Sequence, residues 1–495
     1  MRSRILKALS VVLLLCAGPN ACVEPTMLAE GGIGGTGISY GPISGFGSIY
    51  VNGVRFDTDV AEVIIDGEPM TEAQLQPGMV VRVYGDLDEM GEEGVAHKVE
   101  FSYDLRFVEV TAINRTQGSF VAGGQFVETD ELTVFDGSSF SQLNVGEWVS
   151  VSGQRVAGDK FVARYVIKQT APVFEEVSDV SNASGLDGHL ELDPVAAPTH
   201  VTIDGEVAEL DLVAKTFRMG SQLISFATLP LDELQIHEGD WLRVSGTVYQ
   251  GLLQADVIRE SSVHSLGRQG NFLRVSGYIQ STVGNGLRVQ GLDVWLNSGT
   301  TYVNGSQADV LAGARVLVIG KNEESGALLA QSLHFIPPAE ARLDGRIDGI
   351  NGDQLSLNGV TAQVNRSTLM LDNSNARARP FGVAQLQTGD ALIVVGYDTP
   401  EGLVISRLQR EDDMAISGQS IRATATQVSS AMGSFKLLNT PVLLAPASTV
   451  QLFSSSGANL SQNEFFSLLK DGVKVRAWGS WDGSSFIANK LVLTD

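Results

Sequence analysis

Short stretches of alternating apolar and polar residues recur along this chain, each fenced by glycine. Six share a glycine, a strand-like alternation and a second glycine seven residues on: "GMVVRVYG" at 78–85, "GEWVSVSG" at 146–153, "GDWLRVSG" at 239–246, "GARVLVIG" at 313–320, "GDALIVVG" at 389–396 and "GVKVRAWG" at 472–479. A period of two is the spacing of a β-strand with unlike faces. Upstream of each stretch, one apolar strand turns into another, as in "IYVNGVRFD" at Gly53 and "LSLNGVTAQV" at Gly359. The sixth copy puts Asn439 near that turn, and asparagine also tolerates positive φ. Downstream, a further strand carries Ala96, Ala163, Ala255, Ala330 or Ala488, with Ile405 in the fifth copy. A small residue facing inward where two strands approach accounts for the alanines.

Each repeat thus predicts an opening strand, a hairpin, a connector with its own short strand, the glycine-bounded strand and a closing strand. The predicted fold class is all-β: tandem small five- or six-stranded β-barrels, OB-like or related, with small β-sandwiches as the alternative. Closure is preferred because short apolar strands with open edges, repeated six times, invite association. Arg82 and Arg243 interrupt the apolar set of their strands, which predicts one solvent-facing side.

The register divides the chain into β-domains at 42–103, 104–170, 185–262, 268–338, 339–412 and 413–495, with an acidic linker at 171–184. The third domain has an added stretch at 192–215, and "SQNEFFSLLKDG" in the sixth has room for one or two helical turns. Variable loops on a constant barrel are the expected recognition sites.

Ahead of the repeats, Arg2, Arg4 and Lys7 precede an apolar core from Leu9 to Ala17, the pattern of an export signal over 1–21. That core is short for a membrane span, which needs about 20 apolar residues. Cleavage before Cys22 would leave that cysteine first and open to lipidation, with simple secretion as the alternative; the site resembles the lipobox of bacterial lipoproteins. Residues 22–41 read as a glycine-rich tether. The tether contains G-x-G-x-x-G at Gly32, Gly34 and Gly37, but a signal before it and a β-pattern after it are not the strand and helix that a dinucleotide loop requires.

The formal net charge of -23 opposes a nucleic-acid partner, which demands a basic surface. Composition, with 43% hydrophobic residues, is sufficient for real cores.

The stretch "GTGIS" followed by "GPISGFGSIYVNGVRFDT" at 35–58, together with the repeated G-x-x-V-x-V-x-G, resembles the bacterial exported domain family of unknown function DUF5666. The resemblance implies a signal-bearing, lipoprotein-like chain of tandem β-domains and supplies no activity or catalytic residues. The expected location is the bacterial cell envelope, as an outer-membrane lipoprotein, or alternatively the periplasm or exterior.

Chemistry is sparse. The six histidines form no H-E-x-x-H pair, "IGKNEE" at Lys321 lacks the glycine spacing of a Walker loop, and no nucleophile elbow appears. No cofactor is expected. A structural calcium in "YGDLDEMGEEG", using Asp86, Asp88, Glu89, Glu92 and Glu93, is the strongest metal candidate, although Met90 and His97 stand where an EF-hand wants carboxylates or amides. Trp148 and Trp241 occupy equivalent positions and, with Trp478, are candidates for stacking a ligand; core or rim packing is the competing account. The expected function is a non-enzymatic envelope protein, a structural or protein-interaction array, with a glycan or small-ligand binding protein as the alternative. Its partner is then an envelope protein or a glycan, and its membrane contact is the lipid on Cys22.

Overall fold

Both glycines of the repeated motif answer to the backbone. The first, at 78, 146, 239, 313, 389 and 472, has φ between +86° and +96° in every copy, a region that costs residues with a side chain. Its amide donates to a carbonyl of the opening strand, that of Ile43, Val110, Val207, Ile279, Ile347 or Ala425, at 2.7–2.9 Å. The second glycine stands at a β-bulge and faces the small residue seen in the sequence: Gly85 opposes Ala96, Gly153 Ala163, Gly246 Ala255, Gly320 Ala330, Gly396 Ile405 and Gly479 Ala488. A Cβ on any of these six glycines would lie closer than 3.0 Å to a backbone carbonyl oxygen of the closing strand. The alanines are buried as expected, as is Ile405. Each bulge leaves one closing-strand residue without an opposite number: His97, Arg164, Asp256, Gln331, Ser406 and Asn489. A bulge re-aims a side chain, which matters for Arg164 below.

The computed structural model describes residues 36–88, 90–157, 160–170, 199–230, 235–249, 251–261, 272–323, 327–412, 418–446 and 448–494. In the first unit the opening strand Thr36–Gly45 pairs antiparallel with Ile49–Val51 and with the glycine-bounded strand Val80–Leu87. Val54–Asp57 completes the hairpin and runs parallel to the closing strand Glu93–Phe101, which returns antiparallel to Val80–Leu87. That circuit is a closed five-stranded barrel with the strand order of an OB-fold. It recurs over 105–169, 199–260, 272–335, 341–411 and 419–494, so the described residues contain six barrels. In the third, the opening strand is Thr199–Glu206 followed by Ala208–Asp211. Thr199–Glu206 and Ala208–Asp211, inside the stretch expected as an addition, therefore supply a strand that the circuit needs. In the sixth, Gln462–Leu468 is helical, closed at its start by a Ser461–Glu464 capping box, and buries Phe465 and Phe466.

The barrels are fused in pairs. Opening strands join side by side: Gly37–Tyr40 with Phe272–Val275 in parallel, Leu105 and Arg106 with Ile203 and Thr202 antiparallel, and Arg342–Asp344 with Ser420–Arg422 antiparallel. The six barrels thereby form three continuous sheets, uniting barrels 1 with 4, 2 with 3 and 5 with 6. Apolar packing follows the pairing, since single clusters run through barrels 2 and 3 and through 5 and 6. Another cluster draws Val134 and Tyr165 of barrel 2, Phe272 and Ile319 of barrel 4 and Leu369 and Leu371 of barrel 5 onto barrel 1. The solvent-facing side expected from Arg82 and Arg243 is largely covered by this assembly. Arg82 is buried and paired with Glu100 at 3.2 Å, and Arg243 binds Asp204 at 2.7 Å and, at 2.7 Å, the Tyr103 carbonyl in the segment joining barrels 1 and 2.

A hairpin asparagine stitches two of the joints. Asn52 Nδ2 donates to Tyr40 O of its own opening strand at 2.9 Å and to Arg274 O of the partner barrel at 3.2 Å. Asn358 Nδ2 repeats this with Asp344 O at 3.0 Å and Ser420 O at 3.3 Å, at a φ of +53°. Asn358→Ala is expected to cost about 2–4 kcal/mol, from two lost hydrogen bonds and a left-handed alanine. Asn358→Gly, which spares the backbone, should cost less, and chemical denaturation of the two variants separates the contributions.

Candidate functional site

Cys22 lies outside the described residues. Trp148 is partly buried against the core shared by barrels 2 and 3. The Trp241 ring is covered by the Arg155 guanidinium at 4.5 Å, and the Trp478 ring lies near Arg476 at 4.6 Å and Lys490 at 4.9 Å. The three belong to barrels 2, 3 and 6, and none lines the cavities described below.

In the acidic loop, Glu89 is outside the described residues and the other carboxylates have local partners. Asp88 Oδ1 accepts from the Glu92 and Glu93 amides at 2.8 and 3.2 Å, Asp86 meets His97 at 2.8 Å, and Glu93 meets Arg55 and Arg366 at 3.3 and 3.1 Å. Among the described residues no group of three or more His, Cys, Asp or Glu is placed to hold a metal ion.

The densest polar chemistry lies where barrels meet. The bulge at Gly153 turns Arg164 inward, leaving it 1% exposed. Its Nη1 donates to both Asp130 oxygens at 2.7 and 2.9 Å, its Nε to Gln154 Oε1 at 3.3 Å, and its Nη2 to the Tyr278 hydroxyl of barrel 4. Burial pushes the Asp130 carboxyl upward, but the Arg164 charge and its hydrogen bonds outweigh that and hold it below the usual carboxylate range. Next to it, Glu131 bridges Arg342 of barrel 5 at 3.3 Å and Arg422 of barrel 6 at 2.9 Å, while its carbonyl accepts from Arg407 at 2.8 Å. Asp130 by way of Arg164, and Glu131 directly, therefore tie barrel 2 to barrels 4, 5 and 6.

Three cavities open around this junction. One of about 550 Å³ lies among barrels 1, 2 and 5 and is lined by Phe46, Phe135, Tyr165 and Phe381, with Asp136 and Arg377 among its polar groups. Tyr165 donates to Asp136 at 2.6 Å, and the Arg379 guanidinium lies 3.8 Å from the Phe46 ring centre. A second, of about 230 Å³, lies among barrels 1, 2, 4 and 5, and a third, of about 550 Å³, runs beside it. Arg315 lines both. Sequence reasoning missed these residues because the partners come from different repeats; Phe46, inside the quoted "GPISGFGS", was the one visible signal.

Barrels 2 and 3 share a different cluster. Asp204 is buried and Asp104 partly so; burial first and the Asp204 carboxylate second push the Asp104 carboxyl up to about 7, against Arg155, the Gly153 amide and Arg243. Burial raises Asp204 as well, opposed chiefly by Arg243. A carboxyl raised on folding contributes stability that is full below its unfolded value, near pH 4, and is lost as pH rises through its folded value. Asp104→Asn keeps an acceptor for the Gly153 amide. It is expected to stabilise this joint by about 1–2 kcal/mol at pH 8 and to have little effect at pH 4, read as hydrogen-exchange protection of strands Trp148–Arg155 and Thr199–Glu206.

Four segments, 40–100, 109–166, 276–334 and 344–407, match the family described as "Domain of unknown function (DUF5666)". Those four segments are tandem DUF5666 domains. The matched segments fall in barrels 1, 2, 4 and 5, so barrels 3 and 6 keep the DUF5666 strand circuit without a match of their own. No curated protein matches the chain. Among solved structures, one match is "drosophila Unr CSD456", with 14% identity over 43% of this chain and 98% of that one and a TM-score of 0.11. Among the described residues no helix is long and apolar enough to cross a membrane.

Proposed function

We propose that this tandem DUF5666 chain is a non-enzymatic, exported protein of the bacterial cell envelope that serves as a structural or protein-interaction scaffold. The observation that supports this reading is where the charged side chains go. Asp130, Glu131, Arg164, Asp204, Arg243 and Asp344 are engaged across or beside barrel joints, which fix the barrels against one another. Rigid presentation of several loops favours multivalent contact with a partner. Lipidation at Cys22 would supply the membrane contact, and the acidic charge weighs against nucleic acid. The test is the intact mass of the protein from isolated envelopes, wild type against Cys22→Ser, with protease access on whole cells. A lipid-modified mass beginning at Cys22, lost in the variant, supports an anchored scaffold; an unmodified protein in the soluble fraction overturns the anchor.

A second reading, binding of a glycan or small ligand, is favoured by the aromatic cleft at Phe46, Phe135, Tyr165 and Phe381. Glycan-array binding that is lost on Phe381→Ala would support it. Binding that depends instead on Trp478 would move the site to barrel 6.

A further inference from the structure

Among the described residues, Arg315 is a cation without a counter-ion. It is partly buried, its Nε is shielded from solvent without a hydrogen-bond partner, and no ion pair to its guanidinium forms among the described residues. It stands on the strand Arg315–Asn322 opposite Tyr278, the residue whose hydroxyl already accepts from Arg164. Arg164 spends its own charge on Asp130, so the local set of two guanidiniums and one carboxylate has a net positive charge. Burial and the neighbouring Arg164 push the Arg315 guanidinium down to about 10, against the pull of Tyr278 and Asp130. A partly buried cation left in this condition is costly unless something pairs with it.

The cavity at that guanidinium has the matching chemistry. Among the described residues, no Asp or Glu lines the 230 Å³ space among barrels 1, 2, 4 and 5, whereas Arg164, Arg315, Asn304, Asn365, Ser406 and Tyr397 do. Ser406 is the bulge residue of barrel 5. The volume corresponds to about eight water molecules, enough for a phosphate or a short carboxylic acid and too small for an oligosaccharide. Arg315, Asn304 and Pro337 also line the neighbouring 550 Å³ cavity, which offers an approach. That approach carries Asp130, Glu131 and Asp309, but the first two are paired with arginines and Asp309 is held to the Ser306 amide at 2.8 Å.

We propose that this central cavity is a binding site for a small oxyanion, a phosphate, sulfate or carboxylate group taken by the Arg315 guanidinium fork with neutral donors around it. The site is distinct from the aromatic cleft and does not rest on the scaffold reading. Because four barrels line it, an anion seated there also locks their arrangement, and its binding stabilises the assembled form by mass action.

The test is isothermal titration of the full chain with inorganic phosphate, sulfate and succinate in turn, wild type against Arg315→Gln and Arg315→Lys. Saturable binding of at least one anion near one equivalent, tighter than about 1 mM, is expected in the wild type. Arg315→Gln should weaken it at least about tenfold, with Arg315→Lys between, since lysine keeps the charge and loses the fork. The absence of saturable binding by all three, or equal binding in Arg315→Gln, overturns the proposal. Should Arg315→Gln fail to fold, labelling of the wild type with an arginine-selective dicarbonyl decides: slower modification of Arg315 with anion present supports the site, and an unchanged rate overturns it.

Discussion

Gly396→Ala is expected to prevent the fifth barrel from closing, while Gly389→Ala, at the other end of the same motif, costs about 1–2 kcal/mol. The two glycines look alike in the sequence and differ in their surroundings. At Gly396 a Cβ would overlap with the Val404 carbonyl oxygen and crowd the Ile405 Cα, both backbone atoms of the paired closing strand. Neither can rotate away, so relief requires breaking the pairing that closes the barrel, a penalty above about 4 kcal/mol. At Gly389 nothing lies within 4 Å of a Cβ, and the cost is that of holding alanine at a φ of +96°. A chain of fused barrels need not unfold in two states, so hydrogen exchange resolved by strand is the suitable measurement. Loss of protection confined to Ala391–Thr399 and Gly402–Glu411 in Gly396→Ala is the expected outcome. Equal protection in the two variants would mean that the bulge relaxes at little cost, and the account of the repeat would fail.

The repeat was legible because the backbone itself demands those glycines. A positive φ and a close crossing leave the same mark in every copy, and the buried alanine opposite is its complement. What lay beyond reach was the pairing between barrels. Arg82 and Arg243 alternate with apolar neighbours as surface residues do, and nothing local tells a face covered by another barrel from one facing water. Barrel 1 pairs with barrel 4 more than two hundred residues away, as Gly37 opposite Phe272 records, so no spacing announces it. The bulge at Gly153 is a shift of one residue, yet it decides that Arg164 points into the junction. The tryptophans drew notice as large aromatics, whereas the cavity aromatics Phe46 and Phe381 sit in connecting segments and converge only after the barrels assemble.

Asp130→Ala is the second substitution with a large expected effect, about 3–5 kcal/mol, because it strips the counter-ion from a guanidinium that is 1% exposed. Arg164→Met should cost much less. It fills similar volume with an apolar chain, and the Asp130 side chain, 39% exposed against 2% for Arg164, can return to water. The double variant Asp130→Ala with Arg164→Met is therefore expected to recover most of the stability lost in Asp130→Ala alone, a coupling that a double-mutant cycle reads directly. Hydrogen exchange again locates the damage. Protection should fall first in Phe161–Gln169 of barrel 2 and Phe272–Val283 of barrel 4, the strands that carry Arg164 and Tyr278. If Asp130→Ala proves no worse than Arg164→Met, Arg164 must draw its compensation from elsewhere in the junction. The carboxylate next in the chain, Glu131, already serves Arg342 and Arg422, so compensation from it would require the joints to barrels 5 and 6 to loosen as the joint to barrel 4 is kept.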